Sequence, residues 1–126
     1  MMLVTLEEAK QHLYATVHDE DDTLITLYIQ SSSKIVINYL KTKRGLYEPE
    51  YDENGDLVYD SSGDLVPVLD SSGEKLIRFE VKAAVLIMIG ILYRDRDASE
   101  MQKWQTGYLP GPVTALLYPL RDPALA

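Results

Sequence analysis

The sequence predicts a mainly α fold, a small helical bundle of three to five helices into which an acidic β-hairpin or meander arm is inserted. Three observations predict it. Apolar residues recur at three- and four-residue spacing through Leu6–Leu13, Thr23–Leu40 and Val81–Tyr93, the period of a helix with one buried face. Between Leu46 and Leu76 nine acidic residues meet a single basic one, Lys75, for a net of −8, while the rest of the chain carries 11 acidic and 11 basic side chains. Three Asp-x-x-Gly units, Asp52–Gly55, Asp60–Gly63 and Asp70–Gly73, fall in that same stretch.

A chain of 126 residues suits one domain, 1–126, with the arm at 46–79. Its hydrophobic content of 46% and charged content of 25% place it with folded proteins rather than disordered ones. Cysteine is absent, which excludes disulfides and thiolate metal sites and fits an intracellular place of assembly. No basic segment followed by an apolar run opens the sequence, so no signal peptide is expected. The most apolar stretch, Val81–Tyr93, holds Lys82 and is shorter than the roughly 20 residues a membrane span needs, so it reads as a core helix. The acidic balance argues against non-specific nucleic-acid binding, which depends on Lys and Arg neutralising phosphates.

Thr5-Leu6-Glu7-Glu8 is a capping box, in which the Thr5 hydroxyl takes the Glu8 amide and the Glu8 carboxylate returns to the Thr5 amide. It opens a short helix ending near Leu13, with Leu6, Ala9 and Leu13 on one face. Asp19-Glu20-Asp21-Asp22 follows, suited to capping the long helix Thr23–Leu40 at its positive end. That helix carries two stripes, Leu24, Tyr28, Ile35, Tyr39 and Ile25, Ile29, Val36, Leu40. Ser31, Ser32 and Ser33 reduce its bulk midway and would let another helix come close. Lys41, Lys43 and Arg44 suit the negative end, and Gly45 suits a left-handed C-terminal cap.

In the arm each Asp-x-x-Gly predicts a turn whose Asp bonds onward to the backbone and whose Gly takes the left-handed position. Asp56–Asp60, Asp64–Leu69 and Glu74–Phe79 read as strands of a meander, with Pro67 marking an edge or bulge. Glu80 to about Asp95 is helical and apolar nearly all round, the centre of the core. Gly90 costs roughly 1 kcal/mol against Ala there, which predicts a close crossing. Asp97–Gly107 reads as one short helical turn at most. After Pro110-Gly111-Pro112, a last helix Val113–Tyr118 begins with Pro112 at its first position and is stopped by Pro119.

No catalytic constellation emerges, and neither a metal site nor a cofactor is expected. His12 and His18 lie six residues apart, off the four-residue spacing that pairs ligands on a helix. Asp52-Glu53-Asn54-Gly55-Asp56 is superficially similar to a calcium loop, but Gly55 stands fourth rather than sixth, so a tight turn explains it better. No glycine-rich phosphate loop and no Gly-x-Ser-x-Gly turn is present. Lys41–Arg44 reads as a solvated helix end rather than a phosphate site. Trp104 and Tyr108 are either interface anchors or core residues. The tail Leu116-Leu117-Tyr118-Pro119-Leu120-Arg121 is apolar and proline-broken, so it either folds back on its own body or inserts into a neighbour.

Two stretches carry a resemblance. Val4-Thr5-Leu6-Glu7-Glu8-Ala9-Lys10-Gln11-His12-Leu13, followed by the acidic cluster and Leu24-Ile25-x-x-Tyr28-Ile29, is one. Pro112-Val113-x-x-Leu116-Leu117-x-Pro119-Leu120-Arg121-Asp122-Pro123 is the other. With the apolar helix from Val81 between them, the chain resembles the head–tail connector (adaptor) family of tailed bacteriophages, also described as DNA-packaging proteins. The resemblance spans about two thirds of the chain, and the arm at 46–79 falls outside it.

The resemblance implies a structural protein rather than an enzyme: a small helical subunit of a homo-oligomeric ring, typically dodecameric, beneath the portal protein. It implies assembly in the host cytoplasm and residence in the virion at the head–tail junction. There the ring extends the channel through which DNA passes without sequence-specific binding, and it docks a tail-completion or stopper protein, with no membrane involved. The alternative within the same world is another tail-completion or DNA-packaging accessory protein. On this reading Val113, Leu116, Leu117, Pro119, Leu120 and Arg121 form the subunit or portal interface. Asp52, Asp56, Asp60, Asp64 and Asp70 form an acidic surface facing the channel or a partner.

Overall fold

The computed structural model describes residues 2–13, 21–41, 43–94 and 109–121, which form four α-helices and two short 3-10 turns. Thr5 and Glu8 make the predicted capping box: the Thr5 amide donates to Glu8 Oε1 at 2.9 Å and the Glu8 amide to Thr5 Oγ1 at 3.1 Å. Helix α1 (Leu6–Leu13) follows, burying Ala9 and Leu13. Helix α2 (Asp22–Leu40) buries Ile25, Ile29, Val36 and Leu40, the second of the two predicted stripes. Leu24, Tyr28 and Tyr39 are half-buried beside it, and Ile35 is exposed at 37%.

Two details of α2 differ from the expectation. Ser33 admits the N-terminal segment rather than a helix: the Leu3 amide donates to Ser33 Oγ at 3.0 Å in a buried contact. The left-handed cap is Lys41, at φ 63°, whose amide donates to the Ile37 carbonyl, and not Gly45. Gly45 lies in the 3-10 turn Lys43–Leu46, where a Cβ would meet the Leu120 carbonyl oxygen at 2.7 Å. Glycine is required there by the closeness of another segment, not by a helix end.

Helix α3 (Phe79–Arg94) is the centre of the core, with Val81, Ala84, Val85, Met88, Ile89 and Gly90 buried. It packs on α2 and on α4 (Gly111–Leu117), and α1 lies against both α2 and α3. The crossing predicted at Gly90 involves α1, since a Cβ on Gly90 would stand 3.4 Å from His12 Nε2. Pro112 takes the second position of α4 rather than the first, because Gly111 is already helical, and Tyr118–Leu120 tighten into a 3-10 turn around Pro119. The short turn expected within 97–107 lies outside the described residues. None of the described helices is long and apolar enough to cross a membrane.

The β-hairpin or meander expected over 46–79 is not what forms. Among the described residues there is no strand of a sheet, only five isolated antiparallel bridges: Tyr47 with Ile77, Pro49 with Pro67, Tyr51 with Leu57, Tyr59 with Leu65, and Leu69 with Lys75. The backbone hydrogen bonds explain why. The Glu50 amide donates to the Val66 carbonyl, the Val66 amide to the Val58 carbonyl, and the Val58 amide back to the Glu50 carbonyl, at 2.8, 3.0 and 3.2 Å. Glu48, Leu76 and Val68 close a second ring in the same way, at 2.9, 2.8 and 2.8 Å. At each ring three chain segments meet, so every stem is one bridged pair long before the chain branches. A ladder needs the same two segments to stay adjacent, and here a third segment takes the next bond at each ring, while the Asp52, Asp60 and Asp70 amides close the outer stems as turns. The arm is a branched array of turns. The strands predicted at 56–60, 64–69 and 74–79 are thereby replaced by single bridges.

Candidate interaction surfaces

The arm's turns are built as their sequence dictates. Asp52 Oδ1 accepts from the amides of Asn54 and Asp56, both at 2.9 Å, and the Gly55 amide donates to the Asp52 carbonyl. Asp60 does the same for Ser62 and Asp64, and Asp70 for Ser72 and Glu74. The three glycines sit at φ +83°, +83° and +82°, a conformation that side chains resist. Asp52, Asp60 and Asp70 thus fix the turns, while Asp56 and Asp64 follow the glycines of the first two. All five carboxylates are exposed. Their charge remains in water.

Side-chain alternation sorts the arm into two faces. All five bridges are pairs flanked, not joined, by hydrogen bonds, so their ten side chains share one face. Nine of the ten are apolar, and Lys75 is the tenth, its Nζ 5.1 Å from the centre of the Tyr47 ring. Tyr51, Leu57, Tyr59 and Leu69 on this face are exposed at 55, 38, 58 and 57%. Glu48 and Glu50, between bridged residues, alternate to the other face. The sequence reading missed these four exposed apolar residues. The alternating Leu57-x-Tyr59 and Leu65-x-Pro67-x-Leu69 is the signal that could have found them.

The tail strip divides. Val113 and Leu117, four residues apart on α4, are fully buried in the chain's own core. Leu116 and Leu120 are half-buried against that core. Arg121 lies over the Tyr39 ring, 4.9 Å from its centre. Pro119 is exposed, and so is Tyr118, at 67%. Of the six predicted interface residues, five therefore touch or enter the chain's own core. Tyr118, which was not among them, presents the largest free apolar surface of this segment.

The remaining candidates are structural. Asp21 makes no capping bond to α2; its Oδ2 accepts from the Tyr93 hydroxyl at 2.6 Å instead. Asp22 pairs with Lys10 at 2.9 Å. His12 is exposed at the end of α1. Among the described residues no group of three or more His, Cys, Asp or Glu side chains is placed to hold a metal ion. His18, Asp19, Glu20, Trp104, Tyr108 and the side chains of Lys43 and Arg44 lie outside the described residues.

The surroundings of Glu8 shift its carboxyl. Burial pushes its carboxyl up, but the bond from the Thr5 amide and the contact with Lys82 Nζ at 3.0 Å outweigh that and hold it below the ordinary glutamate value. One side chain therefore caps α1 and ties it to α3.

The described residues form a helical core, an acidic arm that packs on it through Tyr47 and Ile77, and exposed aromatics on both arm and tail. No curated protein and no solved structure matches the chain. The family model of the Phage gp6-like head-tail connector protein matches residues 3–121, which takes in the first terminal motif, the second as far as Arg121, the core helix and the arm between them. The chain belongs to that family, a structural connector of the phage head–tail junction.

Proposed function

We propose that this chain is the repeating subunit of a ring beneath the portal protein, a single connector domain over 1–126 that extends the DNA channel and docks a tail-completion protein. The family match over residues 3–121 carries the reading. Ring closure by head-to-tail contacts needs two different complementary patches on each subunit. Tyr118 and Pro119 offer one, at the outer edge of α4. The exposed face of α2, with Leu27 at 54% and Ile35 at 37%, offers a second of the right kind.

The net charge of −8 over residues 46–76 of the arm keeps DNA mobile, because it denies phosphates the cationic contacts on which binding depends. The role is structural and requires no cofactor. Subunits fold in the host cytoplasm and take their place in the virion at the head–tail junction, twelve to a ring on the family pattern.

Native mass spectrometry across a concentration series, alone and with portal-bearing heads, tests this. Ring-sized oligomers, or a ring that forms only on the heads, are the expected result. A chain that stays monomeric and never joins heads overturns it. Immunogold labelling elsewhere in the particle would favour a different tail-completion or packaging accessory role.

A further inference from the structure

The geometry points to the bridged face of the arm as a preformed docking site for a basic protein segment with apolar anchors, supplied by a different protein. Four large side chains, Tyr51, Leu57, Tyr59 and Leu69, stand exposed on that face of a chain region whose backbone is already fixed. The two closed hydrogen-bond rings and three doubly bonded Asp turns hold it. Exposed apolar groups on a rigid support lose little freedom on binding, and tyrosine is enriched where binding energy concentrates. Beside them lies a groove of about 510 Å³ with Tyr47, Pro49, Leu65 and Pro67 in its lining and Asp60 and Asp64 among its walls. The groove suits one apolar anchor, and the two carboxylates suit a Lys or Arg next to it.

Charge selects the occupant. The arm is a single layer, so even the carboxylates of its other face lie within about one Debye length, ~10 Å, of a bound segment. With −8 concentrated in 46–76, a segment bearing Lys or Arg is drawn in and an acidic one is repelled. Duplex DNA is excluded by its phosphates. A second arm is excluded by the same −8 over its residues 46–76, and the rest of the chain, with 11 charges of each sign, has no net positive charge to offer. That leaves a different, basic polypeptide. The face exists whether or not the chain forms a ring, so this site and the connector role stand or fall by different measurements.

The test titrates the full chain, followed by its amide NMR signals, with a synthetic peptide of about 12 residues alternating Lys with Tyr and Leu. A peptide of equal charge with Ser in place of Tyr and Leu, and a DNA duplex of about 20 base pairs, are the comparisons. The expected result is saturable shifts confined to 46–79 with the first peptide, weakened about tenfold by Tyr51→Ser/Tyr59→Ser, by Leu69→Ser and by added salt. The second peptide should bind about tenfold more weakly than the first. Unperturbed signals from the Asn54 and Ser62 amides verify that each variant keeps its turns, and Leu69→Ser, on a separate branch, serves if the Tyr pair does not. Equal binding of both peptides, no binding at all, binding of the duplex to the arm, or self-association that the Tyr variants abolish would each overturn the proposal.

Discussion

The Leu120 carbonyl oxygen lies so close to Gly45 that a Cβ added to that glycine would stand 2.7 Å from it. Gly45 is buried in the 3-10 turn that leads from α2 into the arm, and Leu120 closes the last turn of the described tail. The point where the arm leaves the bundle is thus the point on which the tail rests. Backbone oxygen cannot swing away as a flexible side chain would. Gly45→Ala is therefore expected to displace the 118–120 turn and to cost about 1–3 kcal/mol, the usual range for overpacking. Urea unfolding measures the cost. Amide shifts at Tyr118–Arg121, with those of the three arm turns unmoved, locate it.

The same contact divides the tail into a part that folds the chain and a part that does not. Leu117 is fully buried, so Leu117→Ala should destabilise the chain by about 2–5 kcal/mol. Tyr118, one residue on, is exposed at 67%, and Tyr118→Ser should change stability by less than about 0.5 kcal/mol. If the outer edge of α4 joins subunits, Tyr118→Ser lowers ring yield at unchanged thermal stability. Native mass spectrometry and a melting curve on the same sample separate the two effects. Removing Leu116–Ala126 as a block would confound them, because it takes Leu117 out of the core.

The arm's turns depend on an acceptor, not on a charge. Asp60 Oδ1 takes the amides of Ser62 and Asp64 at 2.9 and 3.0 Å, and an asparagine side-chain carbonyl can do the same. Asp60→Asn is expected to keep the turn while removing one negative charge. Asp60→Ala should speed hydrogen exchange at the Ser62 and Asp64 amides by about fivefold, in keeping with a lost bond of about 1 kcal/mol at each. Equal exchange in both variants would show that Gly63, at φ +83°, holds the turn without the carboxylate.

What could be read from the sequence was local. The capping box of Thr5 and Glu8, the buried stripe of α2, the core helix and the three Asp turns each rest on contacts within a few residues, and spacing specifies them. Glycine is more ambiguous: a left-handed cap and a close approach need the same residue, so Gly45 was assigned to the helix end that Lys41 makes. The tail was open between self and neighbour, although the four-residue step from Val113 to Leu117 already pointed inward. The branching of the arm lay out of reach. The same alternation serves a two-segment ladder and a three-segment ring, and only the pairing of Glu48 with Val68 and Leu76, far apart in the chain, decides between them. The exposed face of the arm follows from that branching, and was missed with it.

Glu8 gives the bundle a pH dependence whose sign is fixed. Its carboxyl titrates below the ordinary glutamate value of about 4.5: burial opposes the shift, but the Thr5 amide and Lys82 prevail. A folded-state value below the unfolded one means that the unfolded chain binds the proton more readily, so the contribution is fully present above the ordinary value. It is lost as pH falls from there through the lower folded value, when the protonated carboxyl releases Lys82 and weakens the cap on α1. Glu8 is partly exposed, with about a third of its side chain open to solvent, so screening keeps the effect modest. Other carboxylates titrate in the same range, and Glu8→Gln isolates this one. The variant is expected to be less stable than the native chain at pH 7, with the difference shrinking as pH drops below about 4.5. Lys82→Met should show part of the same convergence, because it removes the ion pair and leaves the capping box intact. Urea midpoints at a series of pH values measure both, and a Glu8→Gln difference that stayed constant from pH 7 to pH 3 would mean that the charge of Glu8 contributes nothing to holding α1 against α3.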